Sequence, residues 1–142
     1  MKNILLDSDV LMDFFLDRTP FSEDASKILS LCENGEIVGY VTPVIYSNLY
    51  YLLRRISDRQ TAISQLRRLF SFTRLLVIDG RAVLAALHSD NVTDFDDALQ
   101  NYAVEGSDDI RVIITRNVRD FRKSAVAVLT PSDYLKLRKQ HL

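Results

Sequence analysis

The sequence is poor in residues that several common chemistries need. It has one cysteine, Cys32, which excludes an internal disulfide. Cys32 shares a helical stripe with Ala25, Ile28 and Leu29 and reads as a small buried hydrophobe. A reducing compartment suits such a chain, so the cytoplasm is the expected location. The two histidines, His88 and His141, have no acid at helical or strand spacing and read as surface residues rather than ligands or bases. No Ser-His-Asp or Cys-His arrangement suggests nucleophilic catalysis. The four glycines form no phosphate-cradling loop. No apolar run approaches the roughly 20 residues needed to span a membrane. The start of the chain, one lysine followed by a short apolar run and an aspartate, does not read as a signal peptide. Neither sign of charge dominates. The formal net charge is -1, which supplies no global field for nucleic acid and leaves room for a local basic patch.

What the sequence does contain is an alternation of short apolar runs and helical patterns. Its 142 residues suit a single domain, residues 1–142. Strands are predicted at Asn3–Leu6, Ile37–Val41, Leu75–Ile78, Arg111–Thr115 and Ala125–Leu129. Helical turns are predicted over Val10–Leu16, and a helix capped by Ser22 runs to Glu33 before Asn34-Gly35. Thr42-Pro43 opens the next helix. Capping boxes at Ser57-Asp58-Arg59-Gln60 and Thr93-Asp94-Phe95-Asp96 open helices ending near Phe72 and Glu105. Asp79 starts a helix to Leu87, and Thr130-Pro131-Ser132-Asp133 caps the last one. Strands alternating with helices imply an α/β fold, a three-layer α/β/α sandwich around a central parallel sheet of four to five strands. Ligands of such folds bind beyond the carboxyl ends of the strands.

Acids fall near those ends. Asp7 closes Asn3-Ile4-Leu5-Leu6, with Asp9 two residues on. Asp94 and Asp97 open a helix and share one of its faces, which Asn101 extends; Phe95, Leu99 and Tyr102 form the opposite, core-facing stripe. Asp120 follows the run Val112-Ile113-Ile114-Thr115, and Asn117 lies nearer the strand end. Blander roles exist for each: Asp7 as a helix N-cap, Asp9 as a loop-holding group, Asp94 and Asp96 as acids favoured at a helix start, Asp120 as a loop acid. Carboxylates gathered at one sheet edge repel one another unless a cation sits among them, and hard oxygen ligands select Mg²⁺ or Mn²⁺ over zinc.

The segments Leu5-Leu6-Asp7-Ser8-Asp9-Val10-Leu11, Asp94-Phe95-Asp96-Asp97-Ala98-Leu99 and Ile114-Thr115-Arg116-Asn117-Val118-Arg119-Asp120-Phe121 stand in the order and spacing of one family, as does the ending Leu129-Thr130-Pro131-Ser132-Asp133-Tyr134-Leu135. On these residues the chain resembles the PIN domain, the nuclease fold of VapC-type toxins, over essentially its whole length. The resemblance implies Mg²⁺- or Mn²⁺-dependent endoribonuclease activity. It places metal-holding catalytic acids at Asp7, Asp97 and Asp120, with Asp94 beside them. Asn117, Thr115 and Asp9 would support that set. It also implies a homodimer and a small antitoxin protein as partner. One position departs from the family. Where a glutamate is usual, the chain has Ser47-Asn48-Leu49, and Asn48 offers a carbonyl oxygen without charge. Asn48 also lies on the apolar stripe of its helix and is expected to point inward.

RNA near an acidic pocket needs cations for its flanking phosphates. Arg116 and Arg119 are the candidates beside Asp120, with Arg122 and Lys123 behind them. A second group, Arg54, Arg55, Arg59, Arg67, Arg68 and Arg74, reads as a solvated helix surface. Tyr46 is a candidate for base stacking, whereas Tyr50 and Tyr51 suit packing or a dimer contact. Two other readings compete. Asn48 motivates a non-catalytic PIN-fold binding module. Asp7-Ser8-Asp9-Val10 also looks like the nucleophile motif of haloacid-dehalogenase-type phosphatases, but no acidic pair follows Lys123 as that family requires.

Overall fold

A computed structural model of the chain describes residues 2–90 and 94–141. Five strands, β1 (Asn3–Leu6), β2 (Val38–Val41), β3 (Arg74–Leu75), β4 (Val112–Ile114) and β5 (Ala127–Leu129), form one parallel sheet in the order β3-β2-β1-β4-β5. Seven helices flank it: α1 (Ser8–Phe15), α2 (Ser22–Glu33), α3 (Pro43–Arg54), α4 (Arg59–Phe72), α5 (Gly80–Leu87), α6 (Phe95–Glu105) and α7 (Pro131–Gln140). A short 3₁₀ helix, Val118–Phe121, joins β4 to β5. This is the three-layer α/β/α architecture expected from the alternation, with five strands.

The order of strands locates the functional edge. From β1 the chain moves outward through β2 to β3, then returns across β1 to β4 and β5. Right-handed crossovers in opposite directions put the connecting helices on opposite faces. The order reverses between β1 and β4, so a crevice opens beyond their carboxyl ends. The register pairs Leu6 with Ile114. Asp7 and Thr115 therefore leave the sheet side by side, and the Asp7 N–H donates to the Ile114 carbonyl at 3.0 Å.

Burial explains why β1 and β4 stand at the centre. Ile4, Leu5 and Leu6, and likewise Val112, Ile113 and Ile114, are buried without alternation, as expected of strands covered on both faces. Helix α1 adds Val10, Leu11 and Met12 to this core, α2 adds Ala25, Ile28 and Leu29, and α7 adds Tyr134. Cys32 is buried where α2 meets Gly39 of β2. Burial pushes its thiol up to about 12, so it is an inert packing group.

Several local expectations shift. Strand β3 spans only Arg74–Leu75, rather than Leu75–Ile78, and both residues are exposed. It lies at the sheet edge, where pairing ends as Leu76 N–H reaches the Val41 carbonyl. Helix α2 has Phe21 at its N-cap, not Ser22, and no side chain caps it. The Ser22 and Ala25 amides are instead taken by the carbonyls of Arg18 and Phe21. Asp58, not Ser57, caps α4, accepting from Thr61 N–H at 2.7 Å. Ser57 Oγ donates back to the Leu53 carbonyl and closes α3. Asp94 caps α6; Thr93, expected to open that capping box, lies outside the described residues. Phe95 is 47% exposed rather than core-facing, because α6 buries Ala98, Leu99, Gln100, Asn101, Ala103 and Val104 instead.

The contact between α2 and β2 depends on Gly39 having no side chain. A Cβ there would meet Cys32 Sγ at 2.8 Å and Leu6 Cδ1 at 2.9 Å. Gly39→Ala is expected to destabilise the protein by about 1–3 kcal/mol through overpacking, and Gly39→Ala/Cys32→Ala is expected to recover part of that loss. Equilibrium urea unfolding of both variants checks this; an unchanged midpoint for Gly39→Ala contradicts it.

Candidate active site

Asp7 ends β1 and caps α1, so its backbone is held from both sides. Its Oδ1 accepts from Ser8 N–H at 2.8 Å and its Oδ2 from the Thr115 hydroxyl at 2.8 Å. The side chain is only 3% exposed. Burial raises its proton affinity most, the hydrogen bonds from Thr115, Ser8 and Gln100 oppose that, and the charge of Asp94 adds to the rise.

Gln100 was not among the residues singled out from sequence. Buried at 2% exposure on α6, it donates from Nε2 to Asp7 Oδ1 at 3.4 Å. Its orientation follows from hydrogen-bond capacity. The Thr42 hydroxyl accepts from Ile45 N–H at the start of α3, and its own proton goes to Gln100 Oε1 at 3.2 Å. The amide nitrogen is thereby turned toward Asp7. A signal existed: Gln100 is three residues beyond Asp97 and so shares its face.

Asp9 follows on the first turn of α1. Its Oδ2 accepts from Arg116 N–H at 3.0 Å and lies 3.3 Å from the Thr115 hydroxyl. Its Oδ1 is the one buried side-chain oxygen or nitrogen without a hydrogen-bond partner among the described residues. Burial and then the charge of Asp7 push the Asp9 carboxyl up to about 6. Asp97, half-buried on the first turn of α6, is pushed up to about 7 by burial, followed by the charges of Asp7, Asp94, Asp120 and Asp9. These influences put all five acids around one locus. Asp94 accepts from Asp97 N–H and is exposed, and Asp120 comes from the 3₁₀ helix after β4.

The other residues expected at the site differ in burial and engagement. Thr115 is fully buried, and its hydroxyl accepts from Asn117 N–H at 3.0 Å. Asn117 is exposed. Asn48 is half-buried on α3, the helix whose cap, Thr42, leads through Gln100 to Asp7. Arg119 is exposed, while Arg116 is engaged with Asp13 through two hydrogen bonds. Asn101 departs from expectation. It is buried at 2% exposure and joins Glu105 and Ser124, tying α6 to the segment before β5. His88 and His141 are exposed, as expected.

A family model described as the PIN domain matches residues 3–119. The chain belongs to the PIN domain family. Among curated proteins, nothing matches the sequence significantly. Solved structures share the PIN fold at low identity. VapBC-1 from nontypeable Haemophilus influenzae matches with a TM-score of 0.68 and 16% identity, over 92% of this chain and 98% of that one. DNA-bound VapBC from Salmonella typhimurium matches with a TM-score of 0.67 and 15% identity, over 91% and 97%. VapC20 from Mycobacterium tuberculosis, described as a Sarcin-Ricin loop cleaving toxin, matches with a TM-score of 0.66 and 15% identity, over 87% and 96%. The fold is thus that of VapC-like toxins, and PIN nucleases generally use a divalent metal. Among the described residues, no helix is long and apolar enough to cross a membrane.

The PIN-site residues suit such an ion in chemistry. Carboxylate oxygens are hard donors, one buried oxygen is orphaned, and burial first and neighbouring acids second raise the proton affinity of Asp9 and Asp97. Among the described residues, no group of three or more His, Cys, Asp or Glu side chains stands close enough, as placed, to hold a metal ion; uncompensated repulsion opposes a closer approach of the acids.

Linkage gives this cluster a sign. Asp9 and Asp97 hold protons more tightly folded than at the ordinary value of 3.8. Their protonation stabilises the fold fully below that value, and the benefit is lost as pH rises through about 6 and about 7. In EDTA the thermal midpoint is expected to rise as pH falls from 8 toward 5.5. Saturating Mn²⁺ at pH 8 is expected to raise it as well. Differential scanning calorimetry across pH checks both; a midpoint indifferent to pH and to Mn²⁺ contradicts them.

Proposed function

We propose that this PIN domain, spanning residues 1–142, is an Mg²⁺- or Mn²⁺-dependent endoribonuclease acting as the toxin of a toxin–antitoxin pair. The observation that carries this reading is the buried, hydrogen-bonded Asp7 at the switch point of a parallel sheet, with Asp9 beside it and with Asp97 acted on by the charges of Asp7, Asp94, Asp120 and Asp9. Asp7 and Asp97 would hold the cation, with Asp94 and Asp120 beside them and Asn117 and Asn48 as neutral oxygen donors. When bound, the ion would supply Lewis acidity toward a phosphodiester and lower the proton affinity of a bound water.

The chain's own groups set the rest. Ser8 N–H, Thr115 and Gln100 fix the Asp7 carboxylate in one orientation. Asp97, protonated at mild acidity, must lose its proton for the site to load. Arg119, Arg122 and Lys123 are exposed next to Asp120 and offer charge to flanking phosphates. The neighbours described as VapBC or toxin–antitoxin complexes support a small antitoxin protein as partner. The exposed apolar residues Val83, Leu84 and Leu87 on α5 are compatible with a homodimer. Asn48 favours a second reading, a PIN-fold module that binds RNA without cutting it, because it lacks the charge of a glutamate. A cytoplasmic location accords with both.

Structured RNA incubated with the purified protein and Mn²⁺ is expected to be cleaved, and EDTA, Asp7→Asn and Asp97→Asn are each expected to abolish cleavage. Gln100→Leu is expected to lower the rate by about 10–100-fold, as for other partners that orient a metal ligand. Asn48→Glu is expected to raise it. RNA bound but left intact by the folded wild type supports the binding module, and turnover of a phosphomonoester with intact RNA supports the phosphatase reading.

A further inference from the structure

Arg116 stands in the segment expected to hold RNA phosphates, yet its side chain is committed elsewhere. The guanidinium donates from Nε to Asp13 Oδ2 at 2.6 Å and from Nη2 to Asp13 Oδ1 at 3.0 Å. This is the bidentate geometry that only arginine provides. Asp13 is fully buried, while the Arg116 side chain keeps 28% of its surface exposed. The Phe21 ring covers the guanidinium, with Cζ 4.0 Å from its centroid. Arg18 approaches the same carboxylate at 3.8 Å from the side.

The backbone of Arg116 does something different. Its N–H donates to Asp9 Oδ2. Asp9 and Asp13 are four residues apart on α1 and share one face. Arg116 thus meets that face twice, with its side chain at Asp13 and its amide at Asp9. The preceding residue, Thr115, donates to Asp7. With Oδ2 of Asp9 engaged in this way, Oδ1 is left buried and unpartnered.

We propose that Asp13 and Arg116 form an internal latch that sets the end of β4 against α1 and so fixes Asp9, making Asp9 Oδ1 available as a ligand to the divalent ion. Asp13 is then a positioning residue acting through Arg116 and Asp9, and Arg116 is no phosphate contact. This inference rests on the metal-site reading above. It accounts for a fully buried acid in the otherwise apolar run Val10–Leu16.

The test measures Mn²⁺ affinity by isothermal titration calorimetry, beside the salt dependence of RNA binding in EDTA. Asp13→Asn and Arg116→Lys are each expected to weaken Mn²⁺ binding by about tenfold, and to leave the slope of log affinity against log salt at its wild-type value. In an Asp9→Ala background, Asp13→Asn is expected to have no further effect on Mn²⁺ affinity, because the oxygen it positions has gone. Phe21→Leu keeps both charges of the pair, removes only the ring over the guanidinium and is expected to weaken Mn²⁺ binding by a smaller factor. It decides the matter should the charge variants fail to fold. Three results overturn the latch: undiminished Mn²⁺ affinity in the folded variants, an equal loss with and without Asp9, or a salt slope that falls by about 0.7 in Arg116→Gln, which removes the charge and would show one lost phosphate contact on a single strand. Wild-type protein that binds no Mn²⁺ overturns the metal-site reading itself, and the latch with it, whereas wild-type binding with indifferent variants removes the latch alone.

Discussion

Like charges crowded at the carboxyl ends of β1 and β4 constrain the rest of the site. Asp7 is forced there by the register of the two central strands, and Asp9 by the first turn of the helix that Asp7 caps. Asp97 arrives from α6 and Asp120 from the 3₁₀ helix after β4. Burial first, and neighbouring acids second, make Asp7, Asp9 and Asp97 more basic. Such an arrangement persists only because the sheet, the helix caps and the core outweigh the repulsion. A site strained for want of positive charge is one poised to take it up.

Two hydrogen-bonded groups and one ion pair brace the elements that carry the acids. Gln100, turned by Thr42 at the start of α3, reaches Asp7 from α6, and Thr115 reaches it from the end of β4. Asn101, Glu105 and Ser124 fasten α6 to the segment before β5. The Asp13–Arg116 pair joins α1 to the end of β4. Removing Arg116 would leave the buried Asp13 carboxylate with Arg18 at 3.8 Å, so the pair bears on stability as well. Stability and site geometry therefore share residues, and a variant that disturbs one is read properly only when the other is measured too.

Much of this was legible in the residues. The apolar runs gave the strands, and Thr42, Asp79, Asp94 and Thr130 gave helix starts, because a capping side chain announces itself locally. Asp7 and Asp97 stood out because an acid just after a buried strand, or on a helix face with a second acid, has few apolar reasons to be there. The misread positions have physical causes. Phe95 was assigned to the core by helical periodicity, but α6 turns its buried face through Gln100 and Asn101, where polar side chains are satisfied by partners more than 20 residues away. Arg116 was read as a free cation because its partner, Asp13, lies 103 positions earlier.

By itself the sequence determined the elements, their order and the family, since hydrophobic periodicity and helix capping act over a few residues. It also supplied the acids, each marked by its place beside an apolar run. Only the tertiary structure decided which polar groups meet: that Gln100 serves Asp7, that Arg116 is bound to Asp13 and that one oxygen of Asp9 is left without a partner. Those pairings depend on strand order and register, which bring residues about a hundred positions apart within hydrogen-bond reach, and no local pattern encodes that distance.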